Sequence, residues 1–268
     1  MKSYFRANTK YSVKTRPALI KQVPKKSHLS EYYQLAPMSE FNREVFRDKD
    51  PLRQEVCDFV LALAVFHNDF KDSIFAYFQH SNSQSKITKG INPDYAQWGG
   101  IRIHIVRILF GQLWEFLELI KSNKRSVSHS LFLDVLKKLP PNVRDSWNKV
   151  QDIALSNTAK DPIWKKIMLF RQNVAFHYSA TSFGEGYKTH FFHSGSKSEI
   201  PYCSLGTSME ENRFFFADAA AQTYLTSKTG DPDVLWRQID QLHADLNKAI
   251  GNIVPEFIIT RGGAFSQP

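Results

Sequence analysis

The chain has 268 residues, and its 42% hydrophobic and 13% aromatic content excludes an intrinsically disordered protein. Its two cysteines, Cys57 and Cys203, are too few for a disulfide framework and are typical of a reducing compartment. The formal net charge is +9, yet residues 1–30 carry eight Lys and Arg and no Asp or Glu, which leaves +1 for residues 31–268.

Residues 1–30, which we call the basic arm, hold almost the whole charge excess of the chain. Such a segment could bind nucleic-acid phosphates by releasing their counterions, lie on an acidic partner, or be a solvated or targeting leader. No apolar run follows the charges to complete a secretory signal, and no run reaches the roughly 18 residues of a membrane span. We therefore expect a cytoplasmic protein that does not bind membranes.

The first half of the body is predicted to contain two long helices. An Asp-Pro pair at 50–51 is a typical helix start, and the apolar run 56–78 follows it up to a serine-rich break at 81–85. An Asn-Pro-Asp sequence at 92–94 opens a second helix, which extends to about residue 120.

The second half is predicted to contain shorter elements. The segment 181–206 is assigned to a loop or small hairpin because glycines and a proline lie among its aromatic residues. The predicted elements, in order, are a loop over 121–130, helices over 131–139, 142–155 and 163–178, the loop or hairpin over 181–206, and helices over 209–226 and 232–253. An Asp-Pro pair at 161–162 marks the start of helix 163–178. Together they predict an all-α fold with one helical domain over 31–268, in which 181–206 is an insertion and 207–255 holds the C-terminal helices.

One arginine lies on the apolar face of a predicted helix, which is the face expected to be buried. At about 100° per residue, Arg171 falls at the centre of the apolar stripe of helix 163–178. A guanidinium keeps its charge, so its burial is costly unless an anion meets it. Asn173 and His177 are spaced i, i+4 and share a neighbouring face, which Arg171 or a second copy of the helix could reach.

The segment RQNVAFHY, from Arg171 to Tyr178, resembles the signature of the HEPN superfamily, in which a histidine follows an arginine after four to six residues. Here five residues separate Arg171 from His177, and the polar Gln172 directly follows the arginine. This form, preceded by two long apolar helices, is similar to abortive-infection proteins of that superfamily. The resemblance covers about residues 51–180.

The resemblance implies a HEPN-like helical bundle with two long antiparallel helices. It also implies a metal-independent endoribonuclease, often a toxin or defence effector, that works as a homodimer without a cofactor. Its partners would be RNA and a possible antitoxin or regulatory protein.

The chemistry that the resemblance implies suits these residues. Cleavage of RNA by its own 2′-hydroxyl needs a proton acceptor and donor near neutral pH, which His177 would supply. It also needs a fixed cation for the charge that develops on phosphorus, which Arg171 would supply. Asn173 would orient the phosphate or His177, although in the commonest form of the signature the asparagine directly follows the arginine. Gln172 and Tyr178 would contact the RNA.

A polar seam follows the otherwise apolar helix 101–120. Its members fall within about 80° of one another at helical spacing, and they are His104, Arg107, Gly111, Glu115 and Glu118. The functional interpretation is that Glu115 or Glu118 pairs with Arg171 and that His104 and Arg107 help to bind RNA. The alternative is that the seam is the solvent face of an amphipathic helix.

Two other classes of function remain open. The chain could be a non-catalytic helical interaction module, in which Arg171 pairs with a buried acid and His177 is a core histidine. It could also bind nucleic acid through the basic arm alone. His190, His193 and Cys203 are one ligand short of a zinc site, so we predict no metal centre.

Overall fold

The computed structural model describes residues 38–83, 93–155, 162–172, 179–193, 200–209, 211–229 and 232–266. Within these ranges the protein is all-helical, and the β-pairing consists of two isolated antiparallel bridges, Glu40 with Ser266 and Ser204 with Arg213. This confirms the all-α prediction. The basic arm lies outside the described residues.

The described ranges contain long helices at the start and the end and shorter ones between them. A 3-10 helix at Arg43–Phe46 comes first, and a π-helical turn at Thr189–His193 follows α7. The α-helices are α1 (Pro51–Asn82), α2 (Pro93–Ser122), α3 (Lys124–Ser128), α4 (Ser130–Lys138), α5 (Pro141–Leu155), α6 (Pro162–Phe170), α7 (Ala180–Lys188), α8 (Phe215–Thr229) and α9 (Pro232–Thr260). No helix in the described ranges is both long and apolar enough to cross a bilayer.

Four helices surround the main core. α1 packs against α2 and α9, and α5 packs against the same two helices, so the four form a closed bundle. His80 near the end of α1 stacks on Trp98 near the start of α2, whereas Phe66 in the middle of α1 stacks on Phe116 near the end of α2. α1 and α2 are therefore antiparallel. α6 and α8 pack on α2, and α7 packs on α8.

The long helices begin where the sequence predicts. The carboxylate of Asp50 accepts a hydrogen bond from the backbone N–H of Arg53 at 2.9 Å, and Pro51 occupies the first turn of α1. α2 begins at Pro93 and α6 at Pro162, which agrees with the other two proline-containing start signals. The loop predicted over 121–130 is wrong, because α3 forms there around the buried Val127, which packs in the core.

The loop or hairpin predicted over 181–206 is also wrong in its first part, which is α7 and the π-helical turn. The N–H of Ser182 donates to the hydroxyl of Ser179, which caps α7. Gly186 lies within α7. The residue is a glycine because the backbone of Ala220 in α8 approaches it so closely that a side chain would clash. Only the later part is irregular in the described residues, where Ser204 pairs with Arg213.

The bounds of the last two helices differ from the predicted ones. α8 begins at Phe215 instead of 209, because the bridge between Ser204 and Arg213 uses the backbone before it. α9 continues past Pro255 to Thr260. A proline inside a helix removes one hydrogen bond, but Phe257, beyond it, is fully buried, and this packing keeps the chain helical.

The described chain divides into two units. Phe41–Phe265 form the helical unit. The described residues of the other unit are 38–40 and Ser266, where Glu40 and Ser266 exchange two backbone hydrogen bonds of 2.8 and 3.0 Å.

An ion-pair network joins the segment before α1 to the residues after α9 within the helical unit. The guanidinium of Arg261 donates to the carboxylate of Asp48 at 2.6 Å, and that of Arg53 donates to the same oxygen at 2.8 Å. The backbone N–H of Asp50 donates to the second oxygen at 3.1 Å. The hydrogen bonds from Arg261, Asp50 and Arg53, in that order of effect, lower the pKa of Asp48 well below its ordinary value.

This network predicts an acid-sensitive contribution to stability. A carboxyl group with a lowered pKa in the folded protein stabilises it above the ordinary pKa of about 4 and loses that effect as the pH falls. We expect Asp48→Asn to lower the melting temperature at pH 7 and to flatten its decline between about pH 5 and pH 3. Thermal unfolding across this range checks the prediction. Asp152→Asn, an exposed change on α5, is the control, and equal pH profiles for wild type and Asp48→Asn would contradict the prediction.

Candidate functional site

α6 carries Arg171 to the surface of the bundle. Ile167, one helical turn before it, is buried against the core, so Arg171 lies on the inward-facing side of the helix, as the stripe predicts. Arg171 and Gln172 continue from α6 in π-helical geometry. The Arg171 side chain is 30% exposed, which places it at the edge of the core and in reach of solvent.

Two consecutive residues of α2 hold the guanidinium of Arg171. Its Nη2 lies 3.5 Å from Oε1 of Glu115, and its Cζ lies 5.6 Å from the centre of the Trp114 ring. Glu115 therefore supplies the anion that offsets the cost of placing Arg171 in the apolar stripe, and the ring of Trp114 provides a cation–π contact. The predicted pairing of Arg171 with one of the two seam glutamates is present, and its partner is Glu115.

The ion pair between Arg171 and Glu115 is accessible to solvent. The Glu115 side chain is 61% exposed, and an ion pair this accessible contributes about 0–1 kcal/mol to folding. The cation–π contact fixes the direction of the guanidinium without using its N–H donors.

The rest of the predicted motif lies mostly outside the described residues. Asn173, His177 and Tyr178 belong to the segment 173–178, so their roles stay predictions. Gln172 is described and exposed, beside the Arg171 position.

The other seam residues extend along α2 away from Arg171. Glu118 makes a 3.2 Å ion pair with Lys121. Arg107 lies eight residues before Glu115, about 12 Å along the helix axis, and His104 lies about 17 Å away. His104 is exposed and Arg107 half-buried, so the structure places them on a neighbouring stretch of surface and not in direct contact with the Glu115 carboxylate.

Gly111, the middle residue of the seam, faces an open groove between α1 and α2. This groove has a volume of about 770 Å³, and Glu115 contributes to its wall. The same carboxylate therefore pairs with Arg171 and borders the groove.

The histidines after α7 make hydrogen bonds within the protein. Nδ1 of His190 lies 2.9 Å from the hydroxyl of Thr223, and Nδ1 of His193 lies 2.9 Å from the carbonyl of Lys188. Cys203 is exposed and has a free thiol. In the ranges that the structure describes, no three His, Cys, Asp or Glu side chains are grouped as metal ligands.

Sequence reasoning missed Trp114 and the groove. Trp114 lies in a strongly apolar helix, so its spacing assigns it to the core, and only the packing of α6 on α2 places Arg171 over its ring. The groove has a weak sequence signal in α1, where Asp58, Leu61, Val65 and Asp69 share one helical face.

The fold and the site define an all-helical bundle protein that holds one guanidinium at its surface between an aromatic ring and a carboxylate. Comparison with protein-family models, with curated proteins and with solved structures gave no match.

Proposed function

We propose that the protein is a metal-independent endoribonuclease of the HEPN type, acting on RNA in the cytoplasm as a toxin or defence effector. The observation that carries the proposal is the guanidinium of Arg171, held at the bundle surface between the ring of Trp114 and the exposed carboxylate of Glu115. The position of Arg171 at the end of a helix that packs on α2, one of two long antiparallel helices, also supports it.

The reaction is a transfer of the phosphoryl group within RNA. The 2′-oxygen attacks the adjacent phosphorus, the bond from phosphorus to the 5′-oxygen breaks, and a 2′,3′-cyclic phosphate and a 5′-hydroxyl remain. His177 accepts the proton of the 2′-hydroxyl or donates one to the leaving oxygen. Arg171 stabilises the negative charge on the phosphorane with two parallel N–H donors.

A homodimer completes the site in this proposal. One histidine can serve as either the base or the acid at a given moment, so a second His177 from another copy supplies the complementary proton transfer. Asn173 orients the phosphate, and Gln172 and Tyr178 contact flanking nucleotides. Arg107 and His104 lie about 12 and 17 Å along α2 from Glu115, where they bind a neighbouring phosphate.

Purified full-length protein in excess EDTA is expected to cleave single-stranded RNA and to leave a 2′,3′-cyclic phosphate. His177→Ala is expected to remove this activity, because the proton transfers lose their donor and acceptor. The matched control is His193→Ala, which changes an exposed histidine outside the proposed site. Intact RNA after incubation with the wild type, or equal cleavage by wild type and His177→Ala, would contradict the proposal.

A second candidate function is a helical interaction module without catalysis. The observation that favours it is the open groove between α1 and α2, where apolar side chains remain accessible to solvent. The two functions are compatible in one protein, because a defence nuclease restrained by a regulatory partner needs a docking surface.

A further inference from the structure

The groove between α1 and α2 is long, shallow and open. On α1 it runs from Asp58 to Asp69, which is 11 residues or about 17 Å of helix. The stacked rings of Phe66 and Phe116, whose centroids are 4.2 Å apart, lie at its floor. Gln112 donates from its amide to the carbonyl of Asp69 at 3.4 Å and joins the two walls at one end.

The walls are apolar and accessible. Leu61 is 49% exposed and Val65 is 55% exposed, although both belong to one of the four helices that surround the core. They are one turn apart on the same face of α1, opposite Leu119 on α2. Apolar side chains at successive turns of a groove are the surface into which an amphipathic helix inserts.

The charged groups of the groove have a single sign. Asp58, Asp69 and Glu115 line it, and no Lys, Arg or His is among its lining residues. Glu115 is paired with Arg171, so Asp58 and Asp69 carry the negative charge of the groove. The side-chain oxygen of Gln112 is buried there and accepts no hydrogen bond. All these polar groups are hydrogen-bond acceptors, so an occupant must bring donors and positive charge.

We propose that this groove binds a basic amphipathic α-helix of a partner protein. The helix would be about three turns long, to match the 17 Å groove. Its apolar face would cover Leu61 and Val65, and Lys or Arg at its flanks would pair with Asp58 and Asp69. This inference does not depend on the ribonuclease activity.

Other occupants fit the groove less well. A small-molecule site encloses its ligand, whereas this groove is open along about 17 Å of α1. A nucleic acid or an anionic membrane would meet carboxylates of its own sign. A second copy related by two-fold symmetry would bring Asp58 and Asp69 close to their own equivalents, because an isologous interface joins the same patch on both subunits.

The test measures binding of a defined peptide to the full-length protein. The probe is a fluorescein-labelled helical peptide of about 15 residues with leucines at i, i+3, i+4 and i+7 and lysines at the flanking positions. A matched peptide has glutamate in place of every lysine. Fluorescence anisotropy at about 150 mM salt gives the dissociation constant of each peptide.

The lysine peptide is expected to bind at least about tenfold tighter than the glutamate peptide. The double variant Leu61→Gln, Val65→Gln is expected to bind the lysine peptide about tenfold or more weakly than the wild type. The double variant Asp58→Asn, Asp69→Asn is expected to weaken binding of the same peptide and to reduce the salt dependence of that binding. Both double variants change exposed side chains, so folding is expected to persist. The matched control combines Leu133→Gln on α4 with Asp152→Asn on α5 and is expected to bind like the wild type.

Four results would overturn the proposal. The first is equal affinity for the two peptides, and the second is equal affinity of the groove variants and the control. The third is a wild-type dimer, detected by sedimentation, that dissociates in the Leu61→Gln, Val65→Gln variant. The groove would then be a contact between copies of this chain. RNA binding that the groove variants abolish would likewise assign the groove to nucleic acid.

Discussion

Replacement of Arg171 with alanine is expected to lower the rate of RNA cleavage by about a hundredfold or more, because loss of one positioned donor to a developing oxyanion has an effect of that size. The guanidinium is the permanent cation of the proposed site, and Trp114 and Glu115 hold it without burying it. Single-turnover cleavage of a labelled RNA measures the change.

Two variants separate chemistry from folding in this experiment. Arg171→Lys keeps the charge but loses the planar pair of donors, so we expect a rate between those of the wild type and Arg171→Ala. Arg125→Ala removes an exposed arginine of α3 and is expected to cleave RNA like the wild type. A wild-type rate for Arg171→Ala, in a protein with an unchanged melting temperature, would rule out the assigned role.

The Trp147→Ala substitution is expected to lower the free energy of unfolding by about 3–5 kcal/mol, the range for deletion of a large aromatic core side chain. Trp147 lies in α5 and is fully buried, with edge-to-face contacts to Phe59 of α1 and Phe132 of α4. Its indole N–H donates to the side chain of Gln151 at 2.8 Å. The change therefore opens a cavity where three helices meet. Urea unfolding measures the loss.

The controls for Trp147 test both volume and position. Trp147→Phe keeps much of the ring volume and is expected to destabilise the protein less than Trp147→Ala. Leu133→Ala on the exposed face of α4 is expected to change the free energy of unfolding by less than about 1 kcal/mol. A Trp147→Ala protein as stable as Leu133→Ala would show that this junction is not the centre of the core.

The helices with local start signals were predictable from sequence. Asp50 with Pro51, Pro93 and Pro162 begin α1, α2 and α6 as expected, because capping and the fixed φ of proline act within one turn and need no distant partner. The position of Arg171 on the inward face of α6 was predictable for a similar reason, since helical periodicity depends on sequence spacing alone.

The region around α7 was not predictable in this way. Gly186 has the composition signal of a turn, but it is a helix residue whose missing side chain lets the backbone of Ala220 approach. α3 similarly forms because Val127 reaches the core from a polar stretch. In both places the tertiary contact outweighs the local preference.

The sequence alone therefore determined the helical class, the starts of the long helices, the charge of the basic arm and the presence of one arginine in an apolar stripe. These features follow from composition, capping and periodicity, which act over a few residues. Only the tertiary structure decided that Glu115 and not Glu118 pairs with Arg171, that Trp114 lies beneath it, and that an acidic apolar groove stays open between α1 and α2. Those features depend on which faces of separate helices meet, and the period of one helix does not specify its partner.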